Sequence, residues 1–242
     1  MRSYDRKEKK LSIKEVNNKC WYKDICSMID KGDGCHMCTK YFKMNYLMTH
    51  SNLPEAKQKP IKLSPTTDND KKMFKKLDTI RRNIDYFVYE GHNLLIASDN
   101  TGNGKTSWAI KLLHKYFEYS WEDTDLKPIG IFVHVPKLLL QLKDYDNPLP
   151  TTFLKSLEEC DLVVWDDIGD VELSNHDYHQ LLSLLDQRML SERSNIFTSN
   201  ITTYRKLAKV LGERMASRVF DSSELIILDG GDKRYGSFTD TE

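Results

Sequence analysis

"SDNTGNGKTS" (residues 98–107) decides how this chain is read. Its second half fits the phosphate-binding pattern G-x-x-x-x-G-K-[ST] at Gly104, Lys105 and Thr106, whereas Asp99 stands where the first glycine belongs. In such a loop, backbone N–H groups and the start of a helix cradle phosphate oxygens. Glycine is needed where main chain comes closest to phosphate, and Gly102 and Gly104 hold those places. The entry position needs only a turn, and aspartate tolerates unusual φ better than most residues. The Asp99 charge is a liability near phosphate unless the carboxylate points away. The flanks supply the required context: the apolar run "NLLIAS" before the loop, and after it "KTSWAIKLLHKYFEY", whose Trp108, Leu112, Leu113, Tyr116 and Phe117 recur at helical spacing.

Outward from the loop, strand-like and helix-like stretches alternate. "IGIFVHV", "LVVWDD", "NIFTSN" and "SELIIL" have the apolar density of buried strands. "PKLLLQLK", "NHDYHQLLSLLDQRML" and "TTYRKLAKVLGERMASRVF" have helical periodicity. Alternation of this kind predicts an α/β fold, a mainly parallel sheet between helices. Ligands of such sheets bind at the carboxyl ends of the strands, where this chain concentrates its polar chemistry. Lys105 is expected to reach the β- and γ-phosphates and Thr106 to hold magnesium, with Asn100, Thr101, Gly102, Asn103, Gly104 and Ser107 completing the nucleotide contacts. Asp166 and Asp167 follow four apolar residues. The first is expected to hold magnesium and the second to orient attacking water, one methylene short of the usual glutamate, which suggests slow hydrolysis. Asn200, at the end of "FTSN", would stand beside the γ-phosphate.

The 242 residues suffice for one medium domain and a small extension. The net charge is zero, yet residues 1–60 carry 13 Lys/Arg against 7 Asp/Glu, a basic segment able to meet nucleic acid or an acidic protein face. No apolar run reaches membrane-spanning length and no signal peptide opens the chain, so a cytoplasmic protein with no membrane partner is expected. Cys20, Cys26, Cys35 and Cys38 fall within nineteen residues, a clustering that suits a structural zinc site, with His36 or His50 as possible substitutes for one thiolate. Cys160 stands apart and is expected in the core. "SNLPEAKQKPIKLSPTTDND" carries three prolines and little periodicity, the marks of a linker, which places a domain boundary near residue 53.

The loop, "LVVWDDIG", "FTSN" and "LGERMASRVF" follow one another as in AAA+ ATPases, and the chain most resembles replicative helicase loaders of the DnaC/DnaI type, phage-encoded versions included. The similarity covers roughly residues 52–236, opening with "SNLPEAK". It implies an AAA+ core over 54–242, a zinc-binding, helicase-contacting module over 1–53, and bound ATP, Mg2+ and Zn2+. It further implies a weak ATPase that assembles through ATP and delivers a hexameric replicative DNA helicase onto single-stranded DNA. In the DnaI branch the acidic pair is commonly Asp-Asp. By the same resemblance Arg218 is an arginine finger offered to the neighbouring subunit, Arg214 supports it, and Arg234 in "GGDKRYG" senses the γ-phosphate within the subunit. Eight residues follow Arg234, so no C-terminal helical lid is expected. An IstB-type transposition ATPase shares this core, and an ATP-binding adaptor or helicase inhibitor that never hydrolyses ATP would share its loop.

Overall fold

Apolar runs such as "LLIA" and "LVVW" have no polar alternation, so strands built from them need cover on both faces. A computed structural model of the chain describes residues 20, 26, 38–58, 62–144 and 146–232, and supplies that cover. Its helices and strands are α1 (Thr39–His50), α2 (Asp68–Arg82), α3 (Ile84–Tyr89), β1 (Asn93–Ala97), α4 (Lys105–Ser120), β2 (Gly130–His134), α5 (Val135–Leu142), α6 (Thr151–Glu159), β3 (Leu162–Asp166), α7 (Asn175–Leu190), β4 (Ser194–Ser199), α8 (Tyr204–Leu211), α9 (Glu213–Ala216) and β5 (Glu224–Ile227). The strands form one parallel sheet in the order β2-β3-β4-β1-β5.

Successive side chains alternate between two cores, as strand geometry requires. Leu94 and Ile96 of β1 and Leu162 and Val164 of β3 enter one core with the apolar faces of α1 to α4. Leu95, Ala97, Val163 and Trp165 enter the other with residues of α5 to α9. Helix starts carry their own signals: Thr67 caps α2, Ser174 and Asp177 form a capping box on α7, and Pro136 opens α5 behind His134. No helix among the described residues is long and apolar enough to cross a membrane.

Three features differ from the sequence reading. The single helix expected over "TTYRKLAKVLGERMASRVF" breaks at Gly212, whose φ of 77° leaves the helical region, and a π-helical turn, Ser217–Asp221, follows α9. A Cβ at Gly212 would meet the Tyr178 ring at 3.1 Å, so close approach as well as backbone conformation selects glycine. Helix α6 is an element the sequence reading does not name, although Phe153, Leu154 and Leu157 recur at helical spacing and pack on the second core. The segment around residue 53 is less free than a linker. Met44, Leu47, Met48 and Leu53 belong to the first core, and Ser51 and Asn52 bond to the backbone of Phe132 on the outer edge of β2. That covers an edge strand that would otherwise expose unpaired backbone groups.

Candidate functional site

The carboxyl ends of β1, β3 and β4 lie side by side in the sheet, and the segments leaving them enclose a cavity of about 380 Å3. Its walls are the loop from Thr101 to Ser107, with Asp167 and Asp170 after β3, Asn200 after β4, and Lys57 from the segment before α2.

The loop is shaped by its glycines and tied down by its asparagines. Gly102 and Gly104 have φ of 68° and 104°, in the region other residues avoid, and Gly104 stands at the start of α4. A Cβ on Gly102 would fall 1.9 Å from a carboxylate oxygen of Asp232, so a close neighbour also demands glycine there. Asn100 donates to the carbonyls of Asp229 and Gly230 at 3.0 and 3.3 Å, and buried Asn103 donates to Ser98 Oγ and the Leu228 carbonyl. Lys105 is buried, with Nζ 2.9 Å from the Asn100 carbonyl at the loop's base. The Asp99 carboxylate points away from the cavity chemistry: both its oxygens accept from the Thr202 hydroxyl, at 3.1 and 3.0 Å.

Three carboxylates face this loop. Burial holds Asp166 above the usual carboxylate range, opposed by hydrogen bonds from the Thr106 and Thr198 hydroxyls and by the charge of Lys57. Burial also raises Asp167, reinforced by the Asp166 charge, and it raises Asp170, reinforced by Asp167. The chain thus brings together a loop lysine, a helix N-terminus and oxygen ligands short of positive charge. The hydrogen-bonded Thr106 hydroxyl and Asp166 carboxylate are adjacent hard oxygens, which fits magnesium. Among the described residues, the group whose ligand atoms lie close enough to share an ion is His134, Asp166 and Asp167.

Asp167 has a φ of 58°, a left-handed conformation costing a non-glycine residue roughly 1–2 kcal/mol. Its N–H donates to Thr198 Oγ1 at 3.0 Å, and its carboxylate lies 3.4 Å from His134 Nε2. Nδ1 of the same imidazole accepts from Lys137 N at the start of α5, which leaves Nε2 as the donor to Asp167. Asn200 donates to both Asp170 oxygens at 2.9 and 2.7 Å. Sequence reasoning missed Lys57, His134, Asp170 and Thr198. The register His134↔Asp166 is the signal that would have found the histidine, and it requires the strand order.

Other expected residues lie elsewhere. Arg214 and Arg218 stand apart from the cavity in their own chain, both on Asp186, with Arg214 Nη2 at 2.6 Å and Arg218 Nε at 2.8 Å. They line a second cavity of about 370 Å3 with Met189, Leu190 and Ser222. Arg234, Cys35 and His36 lie outside the described residues. Cys38 caps α1 by accepting from Tyr41 N at 3.4 Å, and Cys20 is near enough to raise the Tyr41 hydroxyl, although burial is the larger cause. Cys20, Cys26 and Cys38 form no ion-sized group by themselves. Cys160 is buried, as expected. A larger cavity, about 610 Å3, opens beside Tyr86, Tyr89 and Tyr119 and is lined by none of the loop or strand-end carboxylates described above.

Residues 6–223 match the family model of IstB-like ATP-binding proteins. An ATP-binding protein of insertion sequence IS1162 from Pseudomonas fluorescens is 32% identical over 117 residues, covering 48% of this chain and 46% of that protein. The chain thus spans about half the length of that curated relative. Among solved structures, the DnaC helicase loader superposes with a TM-score of 0.58 at 23% identity, covering 68% of this chain and 93% of that one. DnaI gives 0.60 at 18% identity, with coverage of 77% and 100%. AMPPCP-bound DnaA from Aquifex aeolicus gives 0.55 at 14% identity, with coverage of 71% and 50%. At these identities the likeness is one of fold: a parallel sheet between two layers of helices.

Proposed function

The chain belongs to the IstB-like ATP-binding proteins, and on that premise we propose that it is an ATPase that loads a hexameric replicative helicase onto single-stranded DNA. One observation carries the ATPase reading: buried Lys105, the Thr106–Asp166 pair and Asp167 converge on one cavity at the strand ends. Lys105 would exchange the Asn100 carbonyl for β- and γ-phosphate oxygens, and the backbone of residues 100–107 would hold the phosphates. Thr106 and Asp166 would hold magnesium, which neutralises phosphate charge. Asp167 would orient the attacking water, steadied by His134, and Asn200 would face the same water. Arg218 would serve the neighbouring subunit's nucleotide, with Arg214 beside it, and Arg234 its own. The position of Arg218 away from its own chain's cavity agrees with a role across an interface. Likeness of fold to DnaC and DnaI supports the loader role, and the basic N-terminal residues would contact the helicase.

In this proposal residues 1–53 hold the helicase-binding module and residues 54–242 the ATPase. Cys20, Cys26, Cys35 and Cys38 would bind one zinc whose role is structural. Elemental analysis should find about one zinc per chain, lost when Cys35 and Cys38 become serine. A second reading, a transposition ATPase acting with a transposase on DNA, is favoured by the family match and the insertion-sequence relative. The deciding experiment measures ATP turnover by wild type and Lys105→Ala with helicase and single-stranded DNA, and separately with transposase and duplex DNA. Stimulation by helicase alone supports the loader, and stimulation by transposase alone the transposition reading. ATP binding with no turnover above the Lys105→Ala level in either arm leaves a non-hydrolysing adaptor.

A further inference from the structure

The segment before α2 has proline-rich composition, yet residues 51–58 are fixed at several points. Phe132 N donates to the Ser51 carbonyl at 2.7 Å, and Asn52 Nδ2 donates to the Phe132 carbonyl at 3.0 Å. Leu53 is buried, and Gln58 Nε2 donates back to the Leu53 carbonyl at 3.2 Å. Between these anchors lies a 3-10 turn, Glu55–Lys57, whose last residue is exposed and lines the phosphate cavity with Lys105, Asp167, Asp170 and Asn200. Among the described residues Lys57 forms no ion pair. It thus shares the cavity wall with the strand-end residues Asp167, Asp170 and Asn200, a cation brought to the cavity from outside the loop.

With the loop backbone on the inner phosphates and Lys105 reaching the outer two, the terminal phosphate would lie toward the strand ends that carry Asp167 and Asn200. We propose that Lys57 is a specificity-determining contact to the terminal phosphate of a nucleoside triphosphate, so that the site distinguishes triphosphate from diphosphate through a cation supplied from outside the loop. The inference rests on reading this cavity as the nucleotide site. A diphosphate leaves the ammonium without its partner, whereas a triphosphate brings three further acceptor oxygens. Because Lys57 hangs from the segment that leads back to α1, the same contact ties that segment to the nucleotide state.

The test uses the full chain with magnesium and measures equilibrium binding of AMPPNP and ADP to wild type, Lys57→Ala, Lys57→Arg and Lys105→Ala. Lys57→Ala should weaken AMPPNP about tenfold, the value of one solvent-accessible charge-assisted contact, and change ADP by less than about twofold. Lys57→Arg should recover most of the loss. Equal losses for both nucleotides, or none, with an unfolding midpoint like wild type, overturn the inference. Lys105→Ala separates the two levels. If it binds both nucleotides like wild type, the cavity reading itself fails. If it binds neither while Lys57→Ala is silent, the role of Lys57 alone falls.

Discussion

Thr198 is fully buried and its hydroxyl links the two acidic residues at the end of β3: it donates to Asp166 Oδ1 at 2.7 Å and accepts from Asp167 N at 3.0 Å. Thr198→Val keeps the shape of the side chain and removes both bonds. A buried group left without a partner costs about 1–3 kcal/mol, and a bond to a carboxylate lies toward the upper end. The variant should therefore be destabilised by about 2–4 kcal/mol, seen as a drop of roughly 5–15 °C in Tm for a chain of this size. The local consequence is larger than the global one. Asp167 holds a left-handed backbone that its N–H bond helps to fix, so losing the bond frees the residue proposed to orient water. Asp166 already titrates above the carboxylate range because it is buried, and the Thr198 hydroxyl opposes that shift. Without the hydroxyl its carboxyl moves further up, so the acid limb of ATP turnover should shift to higher pH and half-saturation by magnesium should rise. Thr198→Ser keeps the hydroxyl and should restore both readouts while remaining slightly less stable. Urea unfolding gives the stability and turnover against pH and magnesium gives the site. A valine variant within about 0.5 kcal/mol of wild type, with an unchanged magnesium profile, would refute the linkage.

Burial pushes His114 down to about 4 from 6.5, so the folded chain keeps it neutral. Stability owed to that neutral ring is complete above pH 6.5 and lost as pH falls toward 4, about 3 kcal/mol in all, and His114→Gln should flatten the acid limb of unfolding free energy against pH by that amount. Arg188 is fully buried and donates to the carbonyls of Leu157, Cys160 and Ser194 and to Asn195 Oδ1, at 2.6–2.8 Å. Arg188→Met strands those acceptors and should cost about 3–5 kcal/mol by chemical denaturation; a loss under about 1 kcal/mol would mean water replaces the guanidinium. Asp186 engages Arg218 through Nε, leaving the terminal nitrogens of that guanidinium for another partner. Asp186→Ala should leave ATP binding by the single chain intact while lowering assembly-dependent turnover about tenfold, a contact's worth of free energy. Undiminished turnover would remove Asp186 as the positioning group.

What the sequence makes legible here is what depends on neighbours along the chain. Strands β1 and β3 are built on continuous apolar runs, Gly102 and Gly104 mark required backbone conformations, and Asp166 and Asp167 stand where the buried β3 ends. The residues it hides are assembled by strand order. His134 reaches Asp167 because β2 pairs with β3, Thr198 bridges the acidic pair because β4 is β3's other neighbour, and Lys57 arrives because residues 51–52 grip the free edge of β2. Asp99 brings both kinds together. Judged locally it is a defect in the loop, since an aspartate at the entry adds negative charge beside phosphate. Yet β1 and β4 are adjacent, so the residue 103 positions later can answer it, and Thr202 takes both carboxylate oxygens on one hydroxyl. The entry turn is then held by a side-chain bond between two strand ends. That bond couples the loop to the strand bearing Asn200, two residues before Thr202, so the departure from glycine links two walls of the cavity.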